Sequence, residues 1–251
     1  MKMSRRPGNP SRRHGGGSFP YISVALIVMG GILFLFYLRS GMGGFVGNLQ
    51  HLGKDGGDYP CTAEVKVAIS FLKKAYGSAV NNVLHVGPDT CSVVYTLLKQ
   101  DTEHEAWGIE PYDVEDADDL CKAFVRKGIV RVSDIKFSLP YKAKSFSLVI
   151  VSDALDYLSP KYLNQTLPDL ARISKDGLVI FTGFPNRQKA KSSEMNRIGM
   201  TAKLRGSSWW ARYFIQTGLQ ENEVASSKFD EAATKASYKP TCQIFHLKPK
   251  K

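Results

Sequence analysis

Residues 81–91 read NNVLHVGPDTC, and this stretch constrains the fold of the chain more than any other. A short apolar run ends in a glycine turn and continues into residues 92–98, which are compatible with a helix. In open α/β domains the first strand passes into its helix in this way, and the turn leaves room for a ligand at the helix N-terminus. Short apolar runs ending in glycine are common, so the prediction depends on the spacing of further strands and helices along the chain.

Strand-like and helix-like segments alternate through the rest of the chain. The predicted strands are residues 83–86, 106–109, 129–132, 146–151 and 178–182, with a final antiparallel strand at 242–247. The predicted helices are residues 61–76, 92–99, 116–127, 158–173 and 207–217, and residues 175–177 are expected to cap the fourth of them. This alternation predicts an α/β fold with a doubly wound, mostly parallel sheet.

An uncharged run of 20 residues, 19–38, has the length needed to cross about 30 Å of hydrocarbon as a helix. It is longer than the apolar core of a usual signal peptide and lacks a following small-residue cleavage site, which favours a retained anchor over a cleaved signal. Five basic residues precede it. The positive-inside rule then predicts a cytosolic tail at 1–18, a glycine-rich stem at 39–60 and a lumenal domain at 61–251.

The formal charge of +11 is concentrated at the two ends of the chain. Residues 41–185 hold 15 basic and 18 acidic residues, whereas residues 186–251 hold 13 basic and 5 acidic ones. Solubility and a polyanionic partner explain such a basic segment equally well.

The four cysteines are scattered without a Cys-x-x-Cys spacing, which predicts no zinc site. In an oxidising lumen Cys61, Cys91, Cys121 and Cys242 can pair in three ways. Cys91 lies in the proposed ligand turn, and we expect it to be a small buried residue rather than a bridge partner. Asn164 begins a glycosylation sequon, which is usable only in a lumenal domain.

Polar residues follow four successive predicted strands, at the edge where ligands bind in open α/β sheets. Glu110, about twenty residues beyond the glycine turn, is placed to accept from a ribose diol, and Asp134 is placed to accept from an adenine amino group. The full set of candidate ligand-binding residues is His85, Gly87, Asp89, Glu110, Asp134, Ser152 and Asp153.

This pattern resembles the class I S-adenosylmethionine-dependent methyltransferases over residues 78–185. The likeness is closest at 134–141 (DIKFSLPY), 145–150 (SFSLVI) and 167–177 (LPDLARISKDG). The resemblance implies S-adenosylmethionine as the cofactor. The family usually has an acidic residue at the position of His85 and glycines at those of Asp89 and Cys91, so we expect these side chains to crowd the methionine portion or to reshape the turn.

A narrower resemblance covers nearly the whole chain. Residues 3–7 (MSRRP), 9–13 (NPSRR), 85–91 (HVGPDTC) and 207–210 (SSWW), with the single span, are similar to the plant cotton-Golgi-related proteins. That resemblance implies a type II Golgi membrane enzyme that methylesterifies the galacturonate carboxylates of homogalacturonan, within a pectin-synthesis complex and without a nucleic-acid partner.

Methylation of a carboxylate suits this residue set, because an ionised nucleophile needs no general base. We expect the basic residues after the fifth strand to hold the polyuronate, namely Arg187, Lys189, Arg197 and Arg205. Trp209 and Trp210 could stack on sugars, although a buried helix is the expected role for at least one. Two alternatives stay open: an enzyme that methylates another glycan group, with His85 as its base, and a non-catalytic scaffold, which the atypical glycine turn favours.

Overall fold

The computed structural model describes residues 59–100, 105–185 and 201–249. The chain divides into two units, Met1–Gly53 and Lys54–Lys251, and every described residue belongs to the second. The predicted tail and membrane span, and the stem up to residue 58, lie outside the described residues. Within those three ranges no helix combines the length and apolar character that a membrane crossing requires.

The described part of the chain forms one seven-stranded sheet. Its strands are β1 (Asn82–Val86), β2 (Glu105–Glu110), β3 (Val130–Val132), β4 (Phe146–Ser152), β5 (Ser174–Thr182), β6 (Leu219–Glu221) and β7 (Gln243–Pro249). They are ordered β3-β2-β1-β4-β5-β7-β6. Strands β1 to β5 are parallel, whereas β7 runs antiparallel to β5 and β6. The predicted mostly parallel sheet with an antiparallel C-terminal strand is confirmed.

Helices cover both faces of this sheet. They are α1 (Pro60–Tyr76), α2 (Thr90–Gln100), α3 (Asp119–Arg126), α4 (Pro160–Ile173), α5 (Ser207–Gln216) and α6 (Glu223–Lys235). Helices α1, α2, α3 and α6 pack on one face, and α4 and α5 pack on the other. Strand β4 is apolar from Leu148 to Val151 because its alternate residues enter different cores, with Ile150 on one side and Val149 on the other.

The strand register brings three strand ends together. Val86, the last residue of β1, is paired with Ile109 of β2 and with Val151 of β4. The glycine turn, Glu110 and Ser152 therefore lie at one edge of the sheet, at the carboxyl ends of adjacent parallel strands. This edge is where open α/β folds bind ligands.

The predicted helix cap at residues 175–177 is wrong. Helix α4 ends at Ile173, Ser174 is already extended, and the chain enters β5 directly through an irregularity in its pairing with β4. Gly177 is instead required by close packing, since a Cβ there would lie 2.6 Å from the ring of Tyr76.

Two elements were absent from the prediction. Strand β6 has three residues, which is too few for a periodic pattern. Helix α6 has a weak apolar stripe, and its burial rests on Phe229 together with alanines. The Asn222 side chain accepts a hydrogen bond from the Ala225 amide and caps α6, so Asn222 was the available sequence signal.

Disulfides join Cys61 to Cys242 and Cys91 to Cys121. The expectation that Cys91 is not a bridge partner is therefore wrong. Cys91 lies in the first turn of α2, and its sulfur bonds to α3 within the core on that face of the sheet. Its side chain therefore does not crowd the ligand turn.

Candidate functional site

The turn between β1 and α2 lies directly against the end of β4. A Cβ at Gly87 would lie 2.5 Å from the Ser152 carbonyl oxygen and 2.8 Å from its Oγ, so only glycine fits there. Asp89, two residues on, has a left-handed backbone (φ 53°), and its side chain accepts from the Ser92 hydroxyl at 2.6 Å. This bond directs the Asp89 carboxylate along α2, and Lys66 of α1 lies 3.9 Å from it.

His85 lies beneath the turn and is completely buried. Its Nδ1 is 2.7 Å from the Thr90 hydroxyl, and its Nε2 is 3.0 Å from that of Ser152. Burial lowers the pKa of His85 to about 3, and the charge of Lys66 acts in the same direction, so the ring is neutral. Because both ring nitrogens have protein partners, His85 supports the turn from below.

Asp153 holds the N-terminus of α1 against the sheet. Its Oδ2 accepts from the Thr62 amide at 2.7 Å and from the Thr62 hydroxyl at 3.0 Å, and its Oδ1 accepts from the Cys61 amide at 3.3 Å. Burial raises its pKa to about 6, and the hydrogen bonds from Thr62 and Cys61 oppose this rise. Asp153 therefore acts as a helix cap for α1.

Ser152 joins these two groups. Its hydroxyl lies 2.6 Å from that of Thr62 as well as 3.0 Å from His85 Nε2, and its side chain is fully buried. The sequence prediction correctly placed His85, Ser152 and Asp153 at this edge. In the structure their polar atoms bind one another and α1, so direct contact of these three residues with a ligand stays a prediction.

Glu110 ends β2 beside the turn and is 5% exposed. Its Oε2 accepts from the Thr90 amide at 3.2 Å. Burial raises the pKa of Glu110 to about 8, the charge of Asp89 adds to the rise, and backbone hydrogen bonds from Thr90, Tyr112 and Asp89 oppose it. Glu110 is thus a buried acid in contact with the turn, at the position expected for a ribose ligand.

Three tyrosine rings form a cluster around Tyr112, two residues after this acid. Tyr112 follows β2 and stacks against Tyr59, with ring centroids 6.4 Å apart and planes at 22°. Tyr157 contacts Tyr112 edge-on, with ring centroids 6.3 Å apart. All three rings are half-buried. The sequence analysis missed Tyr59 and Tyr112, although the position of Tyr112 two residues after Glu110 was a usable signal.

Asp134 reaches the same edge but is exposed to solvent. The chain leaves β3 alongside Glu110, because the Ser133 amide donates to the Glu110 carbonyl at 3.0 Å. The Asp134 carboxylate accepts from the Lys136 amide and forms a 3.0 Å ion pair with Lys136 Nζ. Its role toward adenine stays a prediction.

A second acid lies on the side where β5 ends. Asp156 is buried, and its Oδ2 accepts from the Gly183 amide at 2.9 Å. Its Oδ1 has no hydrogen-bond partner in the described part of the chain. Burial raises the pKa of Asp156 well above its ordinary range, the Gly183 hydrogen bond opposes this, and the Asp153 charge adds to it. Asp156 was missed because nothing in its local sequence sets it apart.

Arg205 is the one predicted acceptor-binding residue that the structure describes, since Arg187, Lys189 and Arg197 lie outside the described residues. Its guanidinium donates to the carbonyl oxygens of Leu155 (3.4 Å) and Leu158 (2.6 Å). It thereby fixes the start of α5 to the loop after β4.

Asn164, the predicted glycosylation site, is exposed on α4. Its amide oxygen accepts from the Tyr213 hydroxyl, and the sequon residue Thr166 is buried with its hydroxyl donating to Ile135. Glycosylation of Asn164 stays a prediction. In the three described ranges no group of His, Cys, Asp and Glu side chains has the arrangement of a metal site.

Comparison with known proteins identifies close relatives of the whole chain. It is 56% identical over 261 residues to the Arabidopsis thaliana protein named "Probable pectin methylesterase CGR2", covering 98% of this chain and 99% of that protein. It is 60% identical over 232 residues to "Probable pectin methylesterase CGR3" of the same plant, covering 92% and 89%. No protein-family profile matches the sequence.

Among solved structures, the chain is similar to the Burkholderia thailandensis 1,6-didemethyltoxoflavin-N1-methyltransferase. The TM-score is 0.51 at 10% identity, and the alignment covers 95% of this chain and 94% of that one. That protein was solved with S-adenosylhomocysteine bound. At this identity the likeness concerns the fold alone.

Proposed function

The chain belongs to the family of the plant CGR2 and CGR3 proteins, and from this premise we propose that it is an S-adenosylmethionine-dependent methyltransferase. Its acceptor is the galacturonate carboxylate of homogalacturonan, and its product is the methyl ester. The observation that supports this most is the glycine turn packed on β4 with the buried acid Glu110 beside it. The pectin-related names of the relatives support the acceptor.

The residues at this edge fit a nucleoside cofactor. Gly87 removes side-chain bulk where the backbone turns, Glu110 would accept from the ribose hydroxyls, and the half-buried ring of Tyr112 would pack against the base. The bound cofactor supplies an electrophilic methyl group on a positively charged sulfur. Neutral His85 and the Asp153 cap hold the turn and α1 in place around it.

The acceptor carboxylate is already ionised near neutral pH, so the chain needs no general base. A carboxylate and a sulfonium lose their charges together when the methyl group moves, so exclusion of water favours the reaction. The contribution of the chain is then alignment and shielding. Methylation of a sugar hydroxyl would instead require a base, and His85 is too enclosed by Thr90 and Ser152 to act as one.

Ester hydrolysis is a second candidate, since both relatives are named methylesterases. The Ser152–His85 pair has the hydrogen bond of a hydrolytic nucleophile and its base. Both side chains, however, are completely buried. A nucleophile must reach the ester carbonyl, which a buried serine cannot do. Methyl transfer is therefore the favoured function.

We propose the Golgi lumen as the site of action, with the chain as a single-pass type II protein in a pectin-synthesis complex. The uncharged run at 19–38 and the basic residues before it support the anchor and its direction. Two disulfides in the described domain support an oxidising compartment. If endoglycosidase lowers the mass of the unchanged chain but not that of Asn164→Gln, Asn164 carries a glycan and the domain faces the lumen. If the unchanged chain shows no such shift, the sequon does not support lumenal exposure.

The decisive experiment uses the full-length chain, made in a secretory host and purified in mild detergent. It is incubated with polygalacturonate and S-adenosylmethionine carrying a labelled methyl group, with fully esterified pectin as the control acceptor. We expect label in polygalacturonate that mild alkali releases as methanol, since esters saponify and ethers do not.

Each alternative has its own result in this experiment. Alkali-stable label indicates a hydroxyl acceptor. Methanol release from esterified pectin without cofactor indicates hydrolysis. Absence of S-adenosylmethionine binding by calorimetry leaves the scaffold role and overturns the proposed function.

A further inference from the structure

A cation and two aromatic rings form a stack at the start of α5. Arg205 lies 4.8 Å above the ring centroid of Trp209, and Trp209 stacks on Tyr213 with centroids 4.6 Å apart and planes at 15°. The neighbouring Trp210 is completely buried in the core, whereas Trp209 is half-exposed. The tandem tryptophans therefore differ in role, and one of them presents a surface.

The stack continues onto α4. The Tyr213 hydroxyl donates to the Pro160 carbonyl at 3.0 Å and to the amide oxygen of Asn164. Tyr162 lies on the same first turns of α4, with Lys136 5.4 Å and Lys161 5.9 Å from its ring centroid. Cation–ring pairs thus occur on the first turns of α4 and on α5, which contacts α4 through Tyr213.

We call Arg205, Trp209, Tyr162, Lys161 and Lys136 the aromatic–cationic band; Tyr213 is buried and packs against Trp209. Its inner end is fixed to the candidate site, because Arg205 donates to carbonyls of the loop that carries Tyr157, and Tyr157 contacts Tyr112 beside Glu110. Its outer end lies where the chain leaves β3, at Lys136. The band therefore runs from the loop after β4 to the chain after β3, where Lys136 forms its ion pair with Asp134.

The charge of the band is positive. It contains three cations; among the described residues Asp134 forms an ion pair with Lys136 at 3.0 Å, and the charge of the buried Asp156 acts on Arg205. An exposed cation–ring pair stabilises the fold by only about 0.5–1 kcal/mol. Stability alone therefore does little to explain why two lysines lie over the ring of Tyr162. Rings flanked by cations instead match a ligand that offers flat apolar faces and regularly spaced carboxylates.

We infer that the aromatic–cationic band binds the unesterified part of a polygalacturonate chain outside the reacting residue. This inference rests on the proposed function and assigns to it a surface for the polymer. A methyl ester has no charge, so the band binds unesterified stretches in preference to the product. The enzyme then favours long acceptors with few esters over short or heavily esterified ones.

The test compares charge variants of the full-length chain after enzymatic removal of any N-glycan. Lys136→Gln/Lys161→Gln should weaken polygalacturonate binding about tenfold, measured by affinity electrophoresis, and raise the KM for the polymer. The control Lys127→Gln/Lys228→Gln removes two exposed charges at the end of α3 and on α6, on the other face of the sheet, and should bind as the unchanged chain does. Tyr162→Leu, which keeps apolar packing but loses the ring, should weaken binding about threefold.

The outcomes separate the two proposals. If the unchanged chain methylates polygalacturonate and both lysine pairs bind it equally well, the band is not the polymer site and the proposed function stands. If both pairs weaken binding to the same extent, the attraction is unspecific and the inference is also wrong. If the unchanged chain transfers no methyl group to polygalacturonate, the proposed function itself fails.

Discussion

The Nε2 of His85 lies 3.0 Å from the Ser152 hydroxyl, and neither side chain is exposed. On a surface this pair would indicate an activated nucleophile. Here the Ser152 hydroxyl also lies 2.6 Å from that of Thr62, so the serine connects the β1 turn to α1. We interpret the pair as structural.

Ser152→Ala tests this interpretation. The change leaves His85 Nε2 without its partner. We therefore expect the free energy of unfolding, measured in denaturant, to fall by about 1–3 kcal/mol. Methyl transfer should fall severalfold at most, since no bond to the acceptor is lost. Ser227→Ala, an exposed change on α6, is the matched control. Complete loss of methyl transfer in a folded Ser152→Ala chain would contradict the structural interpretation of the pair.

Gly87→Ala should damage both the fold and cofactor binding. A Cβ would lie 2.5 Å from the Ser152 carbonyl oxygen, so the turn and β4 must move apart. We expect a loss of about 1–3 kcal/mol in the free energy of unfolding and at least about a tenfold higher Kd for S-adenosylmethionine by calorimetry. At Gly206, the N-cap of α5, an added Cβ meets open space, so Gly206→Ala should cost no more than about 1 kcal/mol and leave the Kd unchanged. Equal effects of the two substitutions would contradict the close-approach argument.

The sheet could be predicted from the sequence because the evidence for each strand lies in its own local residues. Apolar runs such as residues 146–151 must be buried on both faces, and their alternation with helical segments leaves few topologies. The irregular entry into β5 was not predictable in this way. It depends on packing of Gly177 against Tyr76, two positions about a hundred residues apart.

The site was predictable in position but not in orientation. Residues at strand ends are brought to one edge by topology, so His85, Glu110 and Ser152 were correctly grouped. Whether each polar atom points outward depends on long-range partners, such as the contact of Thr62 with Asp153 across 91 positions. For the aromatic–cationic band, the sequence indicated Arg205 and Trp209 as candidates for the polymer. It did not place Tyr162, Lys161 and Lys136 with them, because separate segments supply these residues.

The two disulfides should differ in their contributions to stability. Cys61 and Cys242 are separated by 181 positions, and Cys91 and Cys121 by 30. The chain-entropy model then assigns about 5 kcal/mol to the first bridge and about 3–4 kcal/mol to the second. Denaturant unfolding of Cys61→Ser/Cys242→Ser and Cys91→Ser/Cys121→Ser should show this order.

The shorter bridge should have the larger effect on cofactor binding. Cys91 directly follows Thr90, which contacts both His85 and Glu110. We expect the Cys91→Ser/Cys121→Ser chain to bind S-adenosylmethionine more weakly than Cys61→Ser/Cys242→Ser does. Equal affinities would show that the α2–α3 bridge does not support the turn.

Glu110 should make stability depend on pH in a recognisable way. Its pKa is about 8 in the folded chain against an ordinary value of 4.5, so between these values the folded chain holds a proton that the unfolded chain has lost. The free energy of unfolding therefore falls as pH rises through this window, by at most about 1.4 kcal/mol per pH unit. The contribution is complete below pH 4.5 and lost above pH 8.

The informative range is pH 6.5 to 8. His85 and His246, with pKa values lowered by burial to about 3 and about 4, act with the opposite sign but only below their ordinary value of 6.5. Asp153, with its pKa raised by burial to about 6, acts only below that pH. Asp156, whose pKa burial raises well above its ordinary range, acts with the same sign as Glu110. Glu110→Gln should therefore reduce the fall above pH 6.5 without removing it, whereas Glu115→Gln, an exposed control, should retain it in full.

Cofactor affinity should change in the opposite direction over the same range. An ionised Glu110 accepts two hydrogen bonds from a diol, whereas the protonated acid must use one oxygen as a donor. The Kd for S-adenosylmethionine, measured by calorimetry, should therefore fall as pH rises from 6.5 to 8. Glu110→Gln should remove this dependence and bind about tenfold more weakly at pH 8, because a charge-assisted hydrogen bond is lost. If the variant keeps the pH dependence of the unchanged chain, another group titrates and Glu110 does not hold the ribose.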